Sequence, residues 1–476
     1  MDSDWGAPVI FREDFEDPAL RGHAWFALIA HACRATLDPL AVVLVGVFTF
    51  AIASTAEPAP EQSANDGSGQ LAAHAPPLAP EVYDLIDQEL RRRDAEGPVL
   101  VNSYYGRYST RDKKPGHPAP SLEGPIVEPW LGAQRPPPGT RLAVLLPHVK
   151  DPFWVSVNLG IISEARRLGI GIDLYQAGGY HRLGTQVRQL EQAVRKGNID
   201  GVIIGQVEYR TKHLGEIYED LERRGVPIVP VCIDTYHPAI DAKAVVPWYE
   251  MGFAAGGFLA EHSADRKIKV AMMPGPEGLG WVDETFRGFI EALEKHGAMD
   301  RIEIIGPIFG DTGDGLQRFR LGLLFRKHTN IDYLVGNALA AVATLSTNAD
   351  GRPPELEGWK GRHPNLKVIS TYLIPDVHEL IRKGKILAAP NDNPKQQGVM
   401  AVDMIASILN GKRPGNRTDG TAFRSGPVVQ LITSANIEQW SYETLFGPRK
   451  FVPVYQLPPG GEAKTMPAAH DPVSAN

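Results

Sequence analysis

From Arg141 onward the chain alternates two kinds of apolar pattern. Short runs rich in β-branched residues, RLAVLLPHV, IGIDLYQA, DGVIIGQV and PIVPVCI, are separated by amphipathic stretches such as EQAVRKG and LGEIYEDLERRG. A second series follows: KIKVAMMPG, IEIIGPIFG, IDYLVGNA, LKVISTYL and ILAAPN, interleaved with FRGFIEALEKHG and DGLQRFRLGLLFRKH. The first kind predicts buried strands and the second predicts helices. Several helical runs end on Lys or Arg followed by Gly. Cations suit the negative end of the helix dipole, and Gly adopts the left-handed cap without a steric penalty. Regular alternation of strand and helix predicts parallel sheets covered on both faces.

The series divides at AKAVVPWYEMG, with four strand–helix units before it and a comparable set after it. The fold class expected is therefore α/β: two doubly wound, Rossmann-like lobes with a ligand cleft between them, at the carboxyl ends of the strands. Residues Ile233–Pro247 form the crossover on which the lobes open and close. Two large rings, Phe153 and Trp154, stand at the corner where the first strand gives way to a helix. Such a corner ordinarily meets water, and the rings make sense there if they face the cleft.

The expected organisation runs as follows. Residues 1–53 are a signal peptide or membrane anchor, because Leu40–Ala53 is an unbroken apolar run with A-x-A spacing at Ala51 and Ala53. That run is shorter than the roughly 20 residues of a membrane span, which favours export with cleavage near Ala53. Residues 54–80 have the Ala, Pro and polar composition of a disordered linker. An N-terminal extension covers 81–140, with one helix over 81–96 and an irregular or extended run to 140. The N-terminal lobe spans 141–240, joined by a later segment returning from the C-terminal half. The C-terminal lobe spans 241–455, and 456–476 form a disordered tail.

Composition narrows the function classes. The chain has 476 residues, 43% hydrophobic and 22% charged, with a net charge of −7 and no long basic run, which gives nucleic acid no footprint. Its two cysteines, Cys33 and Cys232, lie in no CxxC, and no His/Cys set has metal-ligand spacing. Cys232, within VPVCI, is expected as an inert core thiol. HExxH, GxSxG and kinase signatures are missing from 141–455, and His181, His213, His237 and His328 are scattered without an evident nucleophile. A binding protein rather than an enzyme is expected, with no metal and no cofactor. The Gly-rich PGPEGLGW lacks the ending of a P-loop and is expected as a strand–helix connection, with Trp281 at its end covering the cleft, binding a partner or packing at the surface.

Six motifs in order carry a resemblance: KDPFW (150–154), QAGGY (176–180), VPWYEMG (246–252), MMPGP (272–276), STYL (370–373) and AAP (388–390). From Arg141 to Tyr455 the chain resembles the type I periplasmic binding proteins, and within them the branch that binds trimethylamine N-oxide (TMAO) and works with a sensor histidine kinase. That resemblance implies an aromatic box of Trp154, Tyr180, Trp248 and Tyr372 around the trimethylammonium group. Phe153 is a further candidate contact, with packing behind Trp154 as its plainer role. Methyl groups donate no strong hydrogen bond, and ring faces offer them both apolar contact and a negative quadrupole. Tyrosine hydroxyls or a water are expected to donate to the oxide. Sugar-binding members clamp hydroxyls with polar side chains, so Asn337 and Asp392 are candidate ligand contacts too. Asp392 has a competing role as cap of the helix that starts near Pro394. The partner implied is the extracytoplasmic domain of a kinase, or an ABC permease if the chain serves import.

Overall fold

The structure, a computed structural model, describes residues 78–107, 118, 120–207, 213–264, 266–345, 363 and 365–460. The expected export segment, nearly all of the linker and most of the tail lie outside the described residues. Among the described residues no helix is long and apolar enough to cross a membrane.

The extension is more ordered than its sequence suggests. The helix expected over 81–96 is α1 (Pro80–Glu96). The run after it, expected to be irregular, supplies two antiparallel strands, β1 (Leu100–Tyr105) and β2 (Glu123–Pro129), with Asn102 opposite Val127. Neither LVNSYY nor EGPIVEP alternates cleanly. β1 is stabilised by β15, more than half the chain away, and β2 in turn by β1, and a local pattern cannot show that. Trp130 Nε1 donates to Asp403 Oδ2 at 2.8 Å and the Ala133 N–H donates to Oδ1 at 2.9 Å, which fastens the end of the extension to the main body.

The N-terminal lobe is built on β3 (Arg141–Leu146), followed by α2 (Pro152–Leu168), β4 (Gly171–Gln176), α3 (Leu183–Lys196), β5 (Gly201–Ile204), α4 (Gly215–Arg223) and β6 (Ile228–Pro230). Its four parallel strands lie in the order β4-β3-β5-β6. The chain then passes β7 (Lys243–Ala244) and enters the C-terminal lobe. There the elements are α5 (Trp248–Ser263), β8 (Ile268–Met273), α6 (Gly280–Lys295), β9 (Ile302–Ile305), α7 (Asp314–Lys327), β10 (Tyr333–Gly336), α8 (Ala338–Leu345), β11 (Lys367–Ser370) and α9 (Pro375–Arg382). Its parallel strands lie in the order β9-β8-β10-β11, the same second-first-third-fourth order as in the other lobe. The fold is thus two doubly wound lobes of like topology.

The chain crosses back at β12 (Ala388–Asn391) into α10 (Pro394–Leu409), which packs on α2 of the N-terminal lobe. Glycines allow that contact. A Cβ on Gly160 would stand 1.9 Å from Lys395 O, and one on Gly398 would stand 2.4 Å from Val157 O. The C-terminal lobe repeats the device between α5 and α6, where a Cβ on Gly252 would meet Thr285 O at 1.9 Å. Past the short parallel pair β13 (Arg413–Pro414) and β14 (Gly420–Thr421), β15 (Arg424–Pro427) leads to β16 (Gln430–Thr433), which pairs with β12. After α11 (Tyr442–Phe446), the start of the expected tail forms β17 (Gln456–Leu457), antiparallel to β4.

The crossover strands β7 and β15 are hydrogen-bonded side by side, and β1 of the extension pairs with β15 from Val101 opposite Pro427 to Tyr104 opposite Arg424. The extension therefore adds two strands, in the order β2-β1-β15-β7, to the sheet that links the lobes.

Candidate functional site

The site is made where strands end. After β3, Asp151 Oδ1 accepts the N–H of Trp154 at 3.1 Å, and Pro152 opens α2. This cap holds Phe153 and Trp154 in the first helical turn, at the cleft. After β4, Gly178 and Gly179 both donate their N–H to Pro147 O, at 2.8 and 2.9 Å, in a turn with φ of 97° and 156° that only glycine adopts freely. The turn folds Tyr180 back onto Trp154, whose Nε1 donates to the Tyr180 hydroxyl at 3.0 Å. In the C-terminal lobe Trp281 stands in the first turn of α6, the position equivalent to Trp154, and Tyr372 follows β11. Trp248 begins α5 at the crossover, and its Nε1 donates to Cys232 O at 2.8 Å.

These rings meet. Trp248 lies 5.2 Å from Trp281 and 6.1 Å from Tyr372, the latter at 90°, while Trp281 and Tyr372 are 6.2 Å apart at 85°. Phe153 closes the group, 5.8 Å from Tyr372 and 6.5 Å from Trp248. Together with Asp151, Trp154, Tyr180, Cys232 and Ile233 they line one cavity between the lobes, in which the centre of a water-sized sphere can move through about 20 Å³. Adding back a water radius of ~1.4 Å gives an equivalent sphere of roughly 120 Å³.

Charge and hydrogen bonding are uneven around this wall. Burial raises the Asp151 carboxyl above the usual range, with His148, whose Nε2 is 3.6 Å from Oδ2, pulling the other way. Burial also lowers the His148 imidazole. Tyr180 and Tyr372 are raised well above the ordinary phenol by burial, so both remain protonated donors. The Tyr180 oxygen accepts from Trp154, which leaves its own proton free to point inward. Trp281 Nε1 is buried and has no hydrogen-bond partner among the described residues, a donor that an acceptor in the cavity would satisfy. At the mouth, His181 Nδ1 of one lobe lies 3.6 Å from Asp311 Oδ2 of the other.

The sequence candidates separate cleanly. Trp154, Tyr180, Trp248 and Tyr372 come together around one space, and Phe153, expected behind Trp154, is part of the wall itself. Asn337 stands elsewhere: its Oδ1 accepts the N–H groups of Leu339 and Ala340 and its Nδ2 donates to Met273 O, so it is spent in opening α8. Asp392 does not line the cavity either. It is fully buried, accepts from Gln397 Nε2 at 2.8 Å, and is pushed up to about 7 by burial. Nor is it the cap of α10. Its neighbour Asn393 takes that place, in the left-handed region that Asn tolerates. Two wall residues were not singled out from sequence as ligand contacts, Asp151 and Trp281. The first belongs to the KDPFW motif, and the second could be found by superposing the order of the two lobes. Cys232 is buried and its thiol is raised well above the usual value by burial, an inert group despite its place in the wall. A roomier hollow of about 520 Å³ lies between α1, the crossovers and α10, but several of its charged side chains, Arg92, Glu96 and Lys395, are already paired.

Two lobes of equal topology, joined by crossover strands and enclosing a small cavity, define a clamshell solute-binding protein. The chain belongs to the periplasmic binding protein domain family, whose model matches residues 142–413. That family binds solutes and is not enzymatic. The chain is 26% identical to the periplasmic protein TorT of Escherichia coli strain K12 over 317 residues, 66% of this chain and 84% of TorT. The structure matches that of an ABC transporter solute-binding protein from Bradyrhizobium sp. BTAi1 with bound bis-tris, at 28% identity and a TM-score of 0.59, over 75% of this chain and 98% of that one. It also matches TorT in complex with the TorS sensor domain in the presence of TMAO, with a TM-score of 0.55 at 26% identity over 66% and 99% of the two chains. The D-allose-binding periplasmic protein of E. coli strain K12 is 21% identical over 282 residues, 57% of this chain and 85% of that protein. The chain is thus a solute-binding protein of a periplasmic family, related to TorT and to sugar-binding proteins.

Proposed function

We propose that the chain is exported, encloses TMAO or a closely related methylated amine in the cavity between its lobes, and reports occupancy to the extracytoplasmic domain of a sensor histidine kinase. The observation that carries this reading is the wall: six aromatic rings and one partly buried carboxylate around a space of small size. Water takes ~30 Å³ in the liquid, so a molecule of three methyls, a nitrogen and an oxygen needs on the order of 100 Å³. A pentose has twice as many heavy atoms, and its hydroxyls need more polar partners than the few this wall presents. Rings contribute about 0.5–2 kcal/mol each to a methylated cation, so three or four supply much of the ~8 kcal/mol of micromolar binding. The ligand touches both lobes only when they are closed, and so selects that form. Trp154, Tyr180, Trp248, Trp281, Tyr372 and Phe153 form the box, and the Tyr180 hydroxyl and Trp281 Nε1 donate to the oxide.

Calorimetry with TMAO, tetramethylammonium and ribose tests the ligand. Tyr180→Phe should weaken TMAO about tenfold, the worth of a hydrogen bond to a charged oxygen, and leave tetramethylammonium within about threefold. Ribose heats with no response to either amine would end the proposal.

The ionised Asp151 complements the positive nitrogen. Because burial raises its proton affinity, protonation begins at higher pH than for a free carboxyl. Affinity for tetramethylammonium should therefore fall as pH is lowered through this raised range and level off above it. His148, Lys150 and Asp311 surround the group and shape the slope. Asp151→Asn should abolish it, and an Asp151→Asn profile that retains the wild-type slope would remove Asp151 from the account.

Import is the second reading, favoured by the likeness to the Bradyrhizobium ABC transporter protein. Loss of TMAO uptake on gene deletion, with kinase signalling intact, would establish it instead.

A further inference from the structure

We propose that the outward face of α7, in the C-terminal lobe, is a docking surface for an acidic amphipathic helix of the kinase's extracytoplasmic domain. This rests on the signalling reading above and adds where the partner binds and by what chemistry.

The helix DGLQRFRLGLLFRK is apolar on two sides. Its inner face buries Leu321, Leu324 and Phe325. Its outer face exposes Leu316 (37%), Phe319 (61%) and Leu323 (46%), a stripe at i, i+3 and i+7. Among the described residues, no other α-helix leaves a large apolar side chain exposed. A surface helix normally turns polar residues outward, so a continuous outer stripe calls for a cover. The spacing is that of a helix seam, and at ~1.5 Å per residue α7 offers about four turns to lie against.

Charge narrows the partner. Arg320, Arg326 and Lys327 are exposed beside the stripe, while the helix's one acid, Asp314, is paired with Arg318. The chain as a whole carries −7, so this cationic strip is a local exception. An acidic helix is repelled by most of the surface and attracted here, which orients the encounter.

The position links docking to ligand. Gln317 Nε2 donates to Asp311 O at 2.7 Å and to Gly310 O at 3.2 Å, tying the first turn of α7 to the loop before it. Asp311 of that loop faces His181 of the other lobe across the mouth of the cavity. Lobe closure therefore sets where the α7 stripe stands relative to the N-terminal lobe, and a partner touching both can read it.

The test is surface plasmon resonance with the purified sensor domain of the histidine kinase encoded nearest this chain's gene, using the full chain. Phe319→Asp should weaken binding at least tenfold, and Arg320→Glu with Arg326→Glu should weaken it and reduce its salt dependence. Leu131→Asp, at an exposed apolar residue of the extension, should leave binding unchanged. TMAO calorimetry should be unaltered in all three. If the wild type binds and Phe319→Asp binds equally well, the α7 surface is wrong and the signalling reading survives. If the wild type does not bind, the signalling reading fails and the occupant with it. Should Phe319→Asp change only the oligomeric state, or only hydrogen exchange in residues 346–362, the cover is a second copy or the chain itself, and the proposal is overturned.

Discussion

Trp248→Ala is expected to raise the dissociation constant for TMAO about 100-fold, the largest single effect on binding that the site offers. Trp248 touches three of the other rings in the wall, and its indole N–H is already committed to Cys232 O. Its ring is therefore held in place before any ligand arrives, and no reordering cost offsets its contribution. Removing it deletes up to ~2 kcal/mol of cation–π attraction and a share of apolar contact, together about 2.7 kcal/mol. It also opens the cavity toward the crossover, so water replaces the face that excluded it. Trp→Ala in a buried site costs about 3–5 kcal/mol of stability, so chemical unfolding must run beside calorimetry. Trp248→Phe separates the two effects: a ring face is kept, and the loss should shrink to about tenfold. A folded Trp248→Ala protein that binds TMAO within about threefold of wild type would show that the rings do not hold the ligand.

The lobes were legible because parallel strands buried on both faces write themselves as continuous apolar runs, as in RLAVLL and GVII. The box was legible through KDPFW and QAGGY, short motifs in which the aromatic is anchored by its own neighbours: Asp151 caps the turn of Trp154, and two glycines fold Tyr180 back. What stayed hidden depends on contacts between distant residues. Asn337 and Asp392 have the chemistry of ligand contacts, and only the fold shows that backbone N–H groups hold the first and that the second is buried against Gln397, outside the cavity wall. Trp281, at the end of a Gly-rich loop, stayed open between the cleft, a partner and the surface until the equivalence of the two lobes set it opposite Trp154. The strands of the extension were invisible because β1 is defined by β15, a partner over 300 residues away in sequence with no local mark.

That extension is anchored by a buried ion pair, and breaking it should produce the largest loss of stability. Glu89→Ala is expected to cost about 3–5 kcal/mol in urea unfolding near neutral pH. Glu89 on α1 is fully buried and lies 2.9 Å from the Lys395 ammonium, itself 3% exposed, at the start of α10. Arg92 reaches the same carboxylate at 2.6 Å, and Lys395 also donates to Glu443 O and Thr444 O. Removing the carboxylate leaves a buried cation on two backbone carbonyls, with Arg92 repelling it and only the partly exposed Glu96 in compensation. The lysine carries a signature of that strain. Burial lowers it to about 8 in the folded chain, with Glu89 opposing the shift, against ~10.4 for a free lysine. A depressed lysine pKa means the unfolded chain holds the proton more tightly between those values, so this group's contribution to stability rises with pH across that window. Below about pH 8 the full cost of the buried charge is present. Without Glu89 the depression deepens and relief begins at lower pH, so the deficit of Glu89→Ala should narrow as pH rises toward about 8 and level off above it. Glu89→Ala with Lys395→Met removes both charges and should recover most of the loss, since a well-packed apolar pair is often neutral or better. A double variant as unstable as Glu89→Ala alone, or a single loss under about 1 kcal/mol, would refute the anchor. Because α1 leads directly into β1, and β1 is hydrogen-bonded to crossover strand β15, loosening this pair also frees the sheet on which the lobes turn. Glu89→Ala should therefore change the opening equilibrium, seen as a shifted apparent affinity for TMAO with every ring of the box in place.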